Sequence, residues 1–145
     1  MKRPIGKPTP FKSRDLAAEF IKEMAHKYGA TIVGITKTTP DWLYSEGWRG
    51  CPPDYDFSEM PKHWEYAIVM AVPMAYGKLR SAPSADAAAA TGQGYSGMAF
   101  VVTCLAQYLT EIGFRAVPCG NDTALSVPLA IDAGLGELGR NGIII

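Results

Sequence analysis

Charge of one sign is what this sequence has least of: fourteen basic and fourteen acidic side chains cancel to a formal net charge of zero. No basic stripe is present, so the phosphate neutralisation on which nucleic-acid binding depends has no carrier. Cysteine is scarce too. Cys51, Cys104 and Cys119 are far apart and lack the close C-x-x-C spacing that holds zinc or an iron-sulfur cluster, so such chemistry would need ligands from outside this chain. His26 and His63 are isolated and read as structural or solvent-facing residues. The apolar run AIVMAVPM at 67–74 contains a proline and is far shorter than a bilayer span. The opening MKRPIGKPTPF carries charge but no apolar stretch, so no signal peptide is read there, and the compartment stays open between export with membrane association and the cytoplasm.

What is present is globular. With 145 residues, 48% hydrophobic and 19% charged, the chain matches one ordinary domain. Residues 1–12 read as an extended, proline-rich arm. Ser13 is placed to cap a helix whose Leu16, Phe20, Met24 and Tyr28 recur every fourth position, and Gly29 ends it. TIVGIT at 31–36 reads as a short buried strand. Residues 37–64 are irregular and rich in rings, with Trp42, Tyr44, Trp48, Tyr55, Phe57 and Trp64; they read either as a cover for the core or as a wall for a large flat ligand.

EYAIVMAVPM at 65–74 is the clearest strand, and its unbroken apolar character predicts burial on both faces. The stretch 81–94 reads as flexible by composition, or as a short helix on its alanines; after it a helix starts at Tyr95 and runs to about Ile112, where Gly113 stops it. FRAVP at 114–118 reads as another strand. A tight turn at 119–122 then leads to Ser126, a candidate cap for a short helix with Pro128 in its first turn. The alternation of helix and strand predicts an α+β arrangement resembling an α/β sandwich, a central sheet flanked by helices. The apolar ending GIII at 142–145 lacks a turn, cap or polar tail and reads as a sequence that continues.

The stretch GLGELG at 134–139 matches the dinucleotide fingerprint G-x-G-x-x-G. That fingerprint works only after a buried strand and at the opening of a helix, with an acidic residue about 20 positions further on. Here a short helix precedes the glycines and only Arg140 to Ile145 follow them, which argues against a nicotinamide cofactor. Two other residues carry chemistry. A tyrosine hydroxyl keeps its proton near neutral pH and can deliver it to a carbanion, so Tyr95 is a candidate proton donor, with Arg115 or Arg140 as its basic neighbour, or else a packing tyrosine. Asn121 has donors suited to developing negative charge, or is simply a turn residue.

Taken together, GYSGMA at 94–99, FRAVPCGNDTALSVPLA at 114–130 and IDAGLGELGRNGIII at 131–145 resemble the corrinoid-binding core of the reductive dehalogenases. The AGLGELGRNG run is the most specific of these, followed by GND with LSVP. The resemblance implies an oxidoreductase of organohalide respiration that removes halogen from a small organohalide at a cobamide of the vitamin B12 type, on a nitroreductase-like core. It implies Tyr95 as proton donor and Asn121 as the group that supports the substrate or its developing charge. Gly120, Ser126, Gly134, Gly136, Gly139, Arg140 and Asn141 are then candidate cofactor contacts. The family is longer and continues into a part with two 4Fe-4S clusters, and an arginine beyond this stretch partners its tyrosine. The resemblance therefore implies a partial corrinoid-binding domain over 13–145, inactive alone. It also implies an electron donor acting through the iron-sulfur part, with a membrane-associated redox partner for the whole protein.

Two other readings stay open. The epoxyqueuosine reductases share an AGLG-x-x-G-x-N run, but their transfer-RNA substrate calls for basic surface, and the GND-x-x-LSVP stretch also speaks against them. A non-catalytic cobamide-binding module fits the length and the missing cysteines, whereas Tyr95 and Asn121 fit an enzyme better.

Overall fold

The computed structural model describes residues 7, 8, 10–44 and 64–145. Trp48, Cys51, Tyr55, Phe57 and His63, which entered the sequence reading, lie outside the described residues, as do residues 1–6 of the arm. Helix α1 spans Arg14–Tyr28; the Ser13 hydroxyl accepts from the Leu16 N–H at its start, and Gly29, at φ 112°, closes it. Of its apolar stripe, Met24 and Tyr28 reach the core, and Ala25 is fully buried beneath them. Phe20 is held in a ring cluster, with centroids 5.5 Å from Phe11 and 6.1 Å from Tyr108. Phe11 also stacks on Phe114 at 6.0 Å, so the end of the arm is fastened to the helices by aromatic contact.

Strand β1, Ile32–Lys37, pairs antiparallel with strand β2, Tyr66–Ala71, with Val33 opposite Met70 and Ile35 opposite Ile68. Because side chains alternate across a strand, those four share one face. That face packs on α1 and on the long helix described next, through Val101, Leu105 and Leu109. The opposite face is occupied at Gly34. A side chain there would meet the Ala133 carbonyl oxygen at 2.6 Å and the Leu135 side chain at 2.7 Å, so the absence of a Cβ lets residues 133–135 lie directly on β1. Expected burial of β2 on both faces is not found: Tyr66 is exposed and the rest of the strand is half-buried.

The short helix α2 is Tyr76–Leu79, and α3 is Ala85–Glu111. Of the two readings of 81–94 the helical one holds from Ala85 on, as the start of one long helix and not as a short one of its own. The Ser84 hydroxyl accepts from the Ala87 N–H and nucleates the helix on an alanine-rich run, which carries it through Gly92, Gly94 and Gly97. Gly94 is buried because Met74 packs on it, its methyl 2.5 Å from where a Cβ would sit. Tyr95 is therefore inside a helix rather than at its start.

Residues 114–118 form no strand ladder, contrary to expectation. A cavity of about 290 Å³ lies between them and β2, with residues of both segments in its wall, so their backbones do not meet. Helix α4, Ser126–Asp132, ends the helical part.

Candidate functional site

The short α4 is set in place by backbone pairing. Leu43 bridges Ala124, the Tyr44 N–H donates to the Thr123 carbonyl at 3.1 Å, and the Leu125 N–H donates to the Trp42 carbonyl at 2.8 Å. At the far end of α4, the Trp42 indole N–H donates to the Asp132 carboxylate at 2.6 Å. One tryptophan thus ties both ends of the helix to the segment after β1, and so gives part of the aromatic loop a structural role. The pairing also explains why Ser126 is not the cap that its position suggested. Leu125 is held extended and becomes the N-cap without a side-chain bond, which makes Ser126 the first helical residue.

The Ser126 hydroxyl turns instead to Asn121 and donates to its Oδ1 at 3.1 Å. The turn between them is closed by Asp122, whose carboxylate accepts from the Gly120 N–H at 3.0 Å and from the Thr123 hydroxyl at 3.3 Å. Gly120, Asn121 and Ser126 all line the cavity, with Met98, Val102 and Leu105 of α3 among its apolar wall. Tyr95 is not part of that wall; it is 52% exposed. It begins the helical stripe that continues through Met98 and Val102, since positions three and seven apart share a face. A Cβ on Gly120 would stand 3.9 Å from the Met98 methyl, so Met98 joins the tyrosine's helix to the asparagine's turn. Neither Arg115, in the cavity wall, nor Arg140 is hydrogen-bonded to Tyr95.

Cys119 sits in the same wall, and burial pushes its thiol up from the usual range; the Thr123 hydroxyl opposes this and the Asp122 charge adds to it.

The glycine run lies apart from the cavity and has a backbone explanation of its own. Gly134, at φ 73°, ends α4: its N–H donates to the Ile131 carbonyl at 2.9 Å, and the Leu135 N–H donates to the Ala130 carbonyl at 2.9 Å. The chain then folds into a hairpin in which Glu137 and Ile145 exchange two backbone hydrogen bonds at 3.0 Å. Gly136 is crossed by its partner strand, since a Cβ there would lie 2.6 Å from the Ile145 carbonyl oxygen. Gly139 begins the hairpin turn and accepts from the Gly142 N–H at 3.0 Å. Asn141 closes it, its Oδ1 accepting from the Ile143 N–H at 3.2 Å, while Arg140 stands exposed in the turn. No buried strand leads into these glycines and no helix opens after them, so the geometry a dinucleotide pyrophosphate requires is missing.

No protein-family model matches the chain. It is 40% identical over 117 residues to a tetrachloroethene reductive dehalogenase of Dehalobacter restrictus, a match covering 81% of this chain and 19% of that protein. A tetrachloroethene reductive dehalogenase of Desulfitobacterium hafniense is 39% identical over the same length, with the same coverage. The chain is a relative of the reductive dehalogenases. A third such enzyme, from Sulfurospirillum multivorans, is 27% identical over 87% of this chain and 30% of its own length. The chain thus spans about a fifth of the length of the two dehalogenases it matches at 39–40% identity.

Whether these residues suit a corrinoid is tested by the space around them. The cavity has room for a small molecule but is too small to enclose a macrocycle with side arms. The hairpin is more open. A Cβ on Gly134 or Gly142 would meet nothing within 4 Å, and Leu138, Ile143 and Ile145 are 61%, 61% and 79% exposed. Bare backbone beside uncovered apolar side chains suits one wall of a large flat ligand. Among the described residues no group of three or more His, Cys, Asp or Glu side chains is placed to hold a metal ion, and no described helix is long and apolar enough to cross a membrane.

Proposed function

We propose that this chain supplies the substrate and proton-donor side of a reductive dehalogenase, an oxidoreductase that replaces halogen by hydrogen in a small organohalide with a cobamide as cofactor. The observation that carries the reading is the 40% identity over 117 residues to a protein named for that reaction. The site's chemistry agrees with it. In the overall change a carbon–halogen bond breaks, two electrons and one proton enter, and halide leaves.

The proton and the departing halide each have a group in this chain. The phenol of Tyr95 provides the proton. The Asn121 amide, at the cavity, faces the charge that builds on the departing halogen, where a fixed donor is most effective. The Val102, Leu105 and Leu129 side chains offer an apolar surface that excludes water from the reacting bond. Gly134 and Gly142, with Leu138 and Ile143, would form one wall of the cobamide site. The cobamide, when bound, supplies reducing electrons at its cobalt. In the whole protein those electrons would arrive through iron-sulfur clusters from a donor, and the described sheet and helices would form part of a nitroreductase-like core.

The test is an anaerobic titration of the purified chain with cobalamin, followed by absorbance and by gel filtration. Cobalamin that co-elutes in a base-off state is expected, with loss of co-elution when bulk is placed over the open backbone in Gly142→Val. A folded chain that leaves all the cobalamin free would overturn the assignment of the hairpin.

A further inference from the structure

We infer that Ser126 is a positioning residue that fixes which end of the Asn121 amide meets the cavity; the inference rests on the reading of Asn121 given above. Four observations lead to it. Ser126 opens α4, yet its hydroxyl does not serve the helix: it reaches back to Asn121 Oδ1 at 3.1 Å. The neighbouring Asp122 carboxylate turns its Oδ1 to the Gly120 N–H and the Thr123 hydroxyl and takes no hydrogen bond from the Asn121 amide. Among the described residues Asn121 Nδ2 donates to no protein group. Asn121 and Ser126 both line the same cavity.

With its oxygen held by Ser126, Asn121 offers the cavity an NH₂ group, which recognises an acceptor or an anion. The reversed amide would offer a carbonyl oxygen instead, which repels a departing halide. A hydroxyl can also accept, so what matters is the direction observed: Ser126 donates to Oδ1, and a serine that touches neither substrate nor halide thereby holds the amide with its NH₂ left for the cavity. The backbone pairing of 123–125 with 42–44 keeps the two side chains at this separation.

The experiment is NMR of the ¹⁵N-labelled chain with sodium bromide as the probe and sodium acetate as the control salt. In the wild type, the Asn121 side-chain amide protons are expected to show Overhauser contacts to cavity-lining methyl groups and to shift saturably with bromide. Ser126→Ala should lose both and Ser126→Thr should keep both. Ser126→Thr against Ser126→Val, which differ by a hydroxyl for a methyl, provides the same comparison at matched bulk should alanine not fold. The inference is overturned if the variants without a hydroxyl keep the wild-type contacts and bromide response. If contacts differ between Thr and Val while bromide moves neither, the positioning role stands, and the assignment of Asn121 to developing negative charge is what fails.

Discussion

Replacing Gly34 by alanine tests the packing that brings α4 and the glycine hairpin onto the sheet. The added methyl would sit 2.6 Å from the Ala133 carbonyl oxygen, 2.7 Å from Leu135 Cδ2 and 2.8 Å from Ala133 Cβ. The first of these is backbone, at the end of a helix fixed by its own hydrogen bonds, so the obstacle is not the far end of a flexible side chain. Relief requires residues 133–135 to lift off β1. Overpacking of this kind costs about 1–3 kcal/mol. Removing glycine from a strand interior returns roughly 0.5–1 kcal/mol. The net loss is then about 1–2 kcal/mol, or a fall in Tm of roughly 2–8 °C for a domain near this size. Gly97→Ala is the matched control, because a Cβ there meets nothing within 4 Å and the residue is inside α3. It should stabilise by about 0.5–1 kcal/mol through helix propensity alone. Urea unfolding of both variants, with the slope unchanged, is the assay. A Gly34→Ala chain as stable as wild type, beside a Gly97→Ala chain that behaves as expected, would refute the contact between β1 and residues 133–135.

Three further outcomes are expected. Ser84→Ala removes the oxygen that accepts from the Ala87 N–H, and should destabilise by about 1 kcal/mol, with amide exchange rising first in the opening turns of α3. Trp42→Phe keeps a ring but loses the 2.6 Å bond to Asp132, leaving a carboxylate at the negative end of α4; a loss of about 1 kcal/mol in urea unfolding checks it, and Asp132→Asn should recover part of that loss. Burial of the Cys119 thiol gives a pH dependence of definite sign. The folded chain holds that proton to higher pH than the unfolded chain, so the contribution is complete below the ordinary thiol pKa and declines as pH rises through the higher folded value. In a Cys51→Ser, Cys104→Ser background, adding Cys119→Ser should flatten that alkaline decline in urea titrations.

The parts of this fold that were legible in the sequence are those whose signals are local. Ser13 and Gly29 bracket α1 because a cap hydroxyl and a residue tolerant of positive φ act on their own turn. The glycines that follow helices, Gly113 among them, could be read for the same reason. The failures come from partners distant in sequence. FRAVP has strand composition, but a strand exists only where another backbone pairs with it, and a cavity separates it from β2. Gly92 and Gly94 suggest a break, yet Met74, far back in the chain, fills the space over Gly94 and α3 passes straight through. Ser126 has the right identity for a cap. What moved it one position inside α4 was the pairing of Leu43 with Ala124, which no window around Ser126 contains. Within the candidate site, Asn121 was legible as a turn residue with donors. Its bond to Ser126 has no signal in the sequence, where Ser126 reads as a cap or a cofactor contact, because a bond between side chains five positions apart depends on how the turn closes.

The glycine run shows how one pattern of letters can satisfy two unrelated demands. In a dinucleotide fold the glycines give room to a phosphate at the opening of a helix. Here the first of them closes a helix, at a φ of 73° that disfavours side-chain-bearing residues, and the later two let a strand cross and a turn tighten. Such different uses cannot be separated by spacing; they are separated by what stands before the first glycine and after the last. Leu138 and Ile143 are exposed beside Gly142. The turn and the crossing that account for the glycines leave those side chains and the Gly142 backbone uncovered among the described residues. A structural explanation of Gly134, Gly136 and Gly139 and a corrinoid-facing role for the hairpin are for that reason not in competition. Gly142→Val separates them, since it adds bulk where nothing in the protein stands within 4 Å, although its φ of 78° makes the variant strained and requires the fold to be checked beside the cobalamin titration.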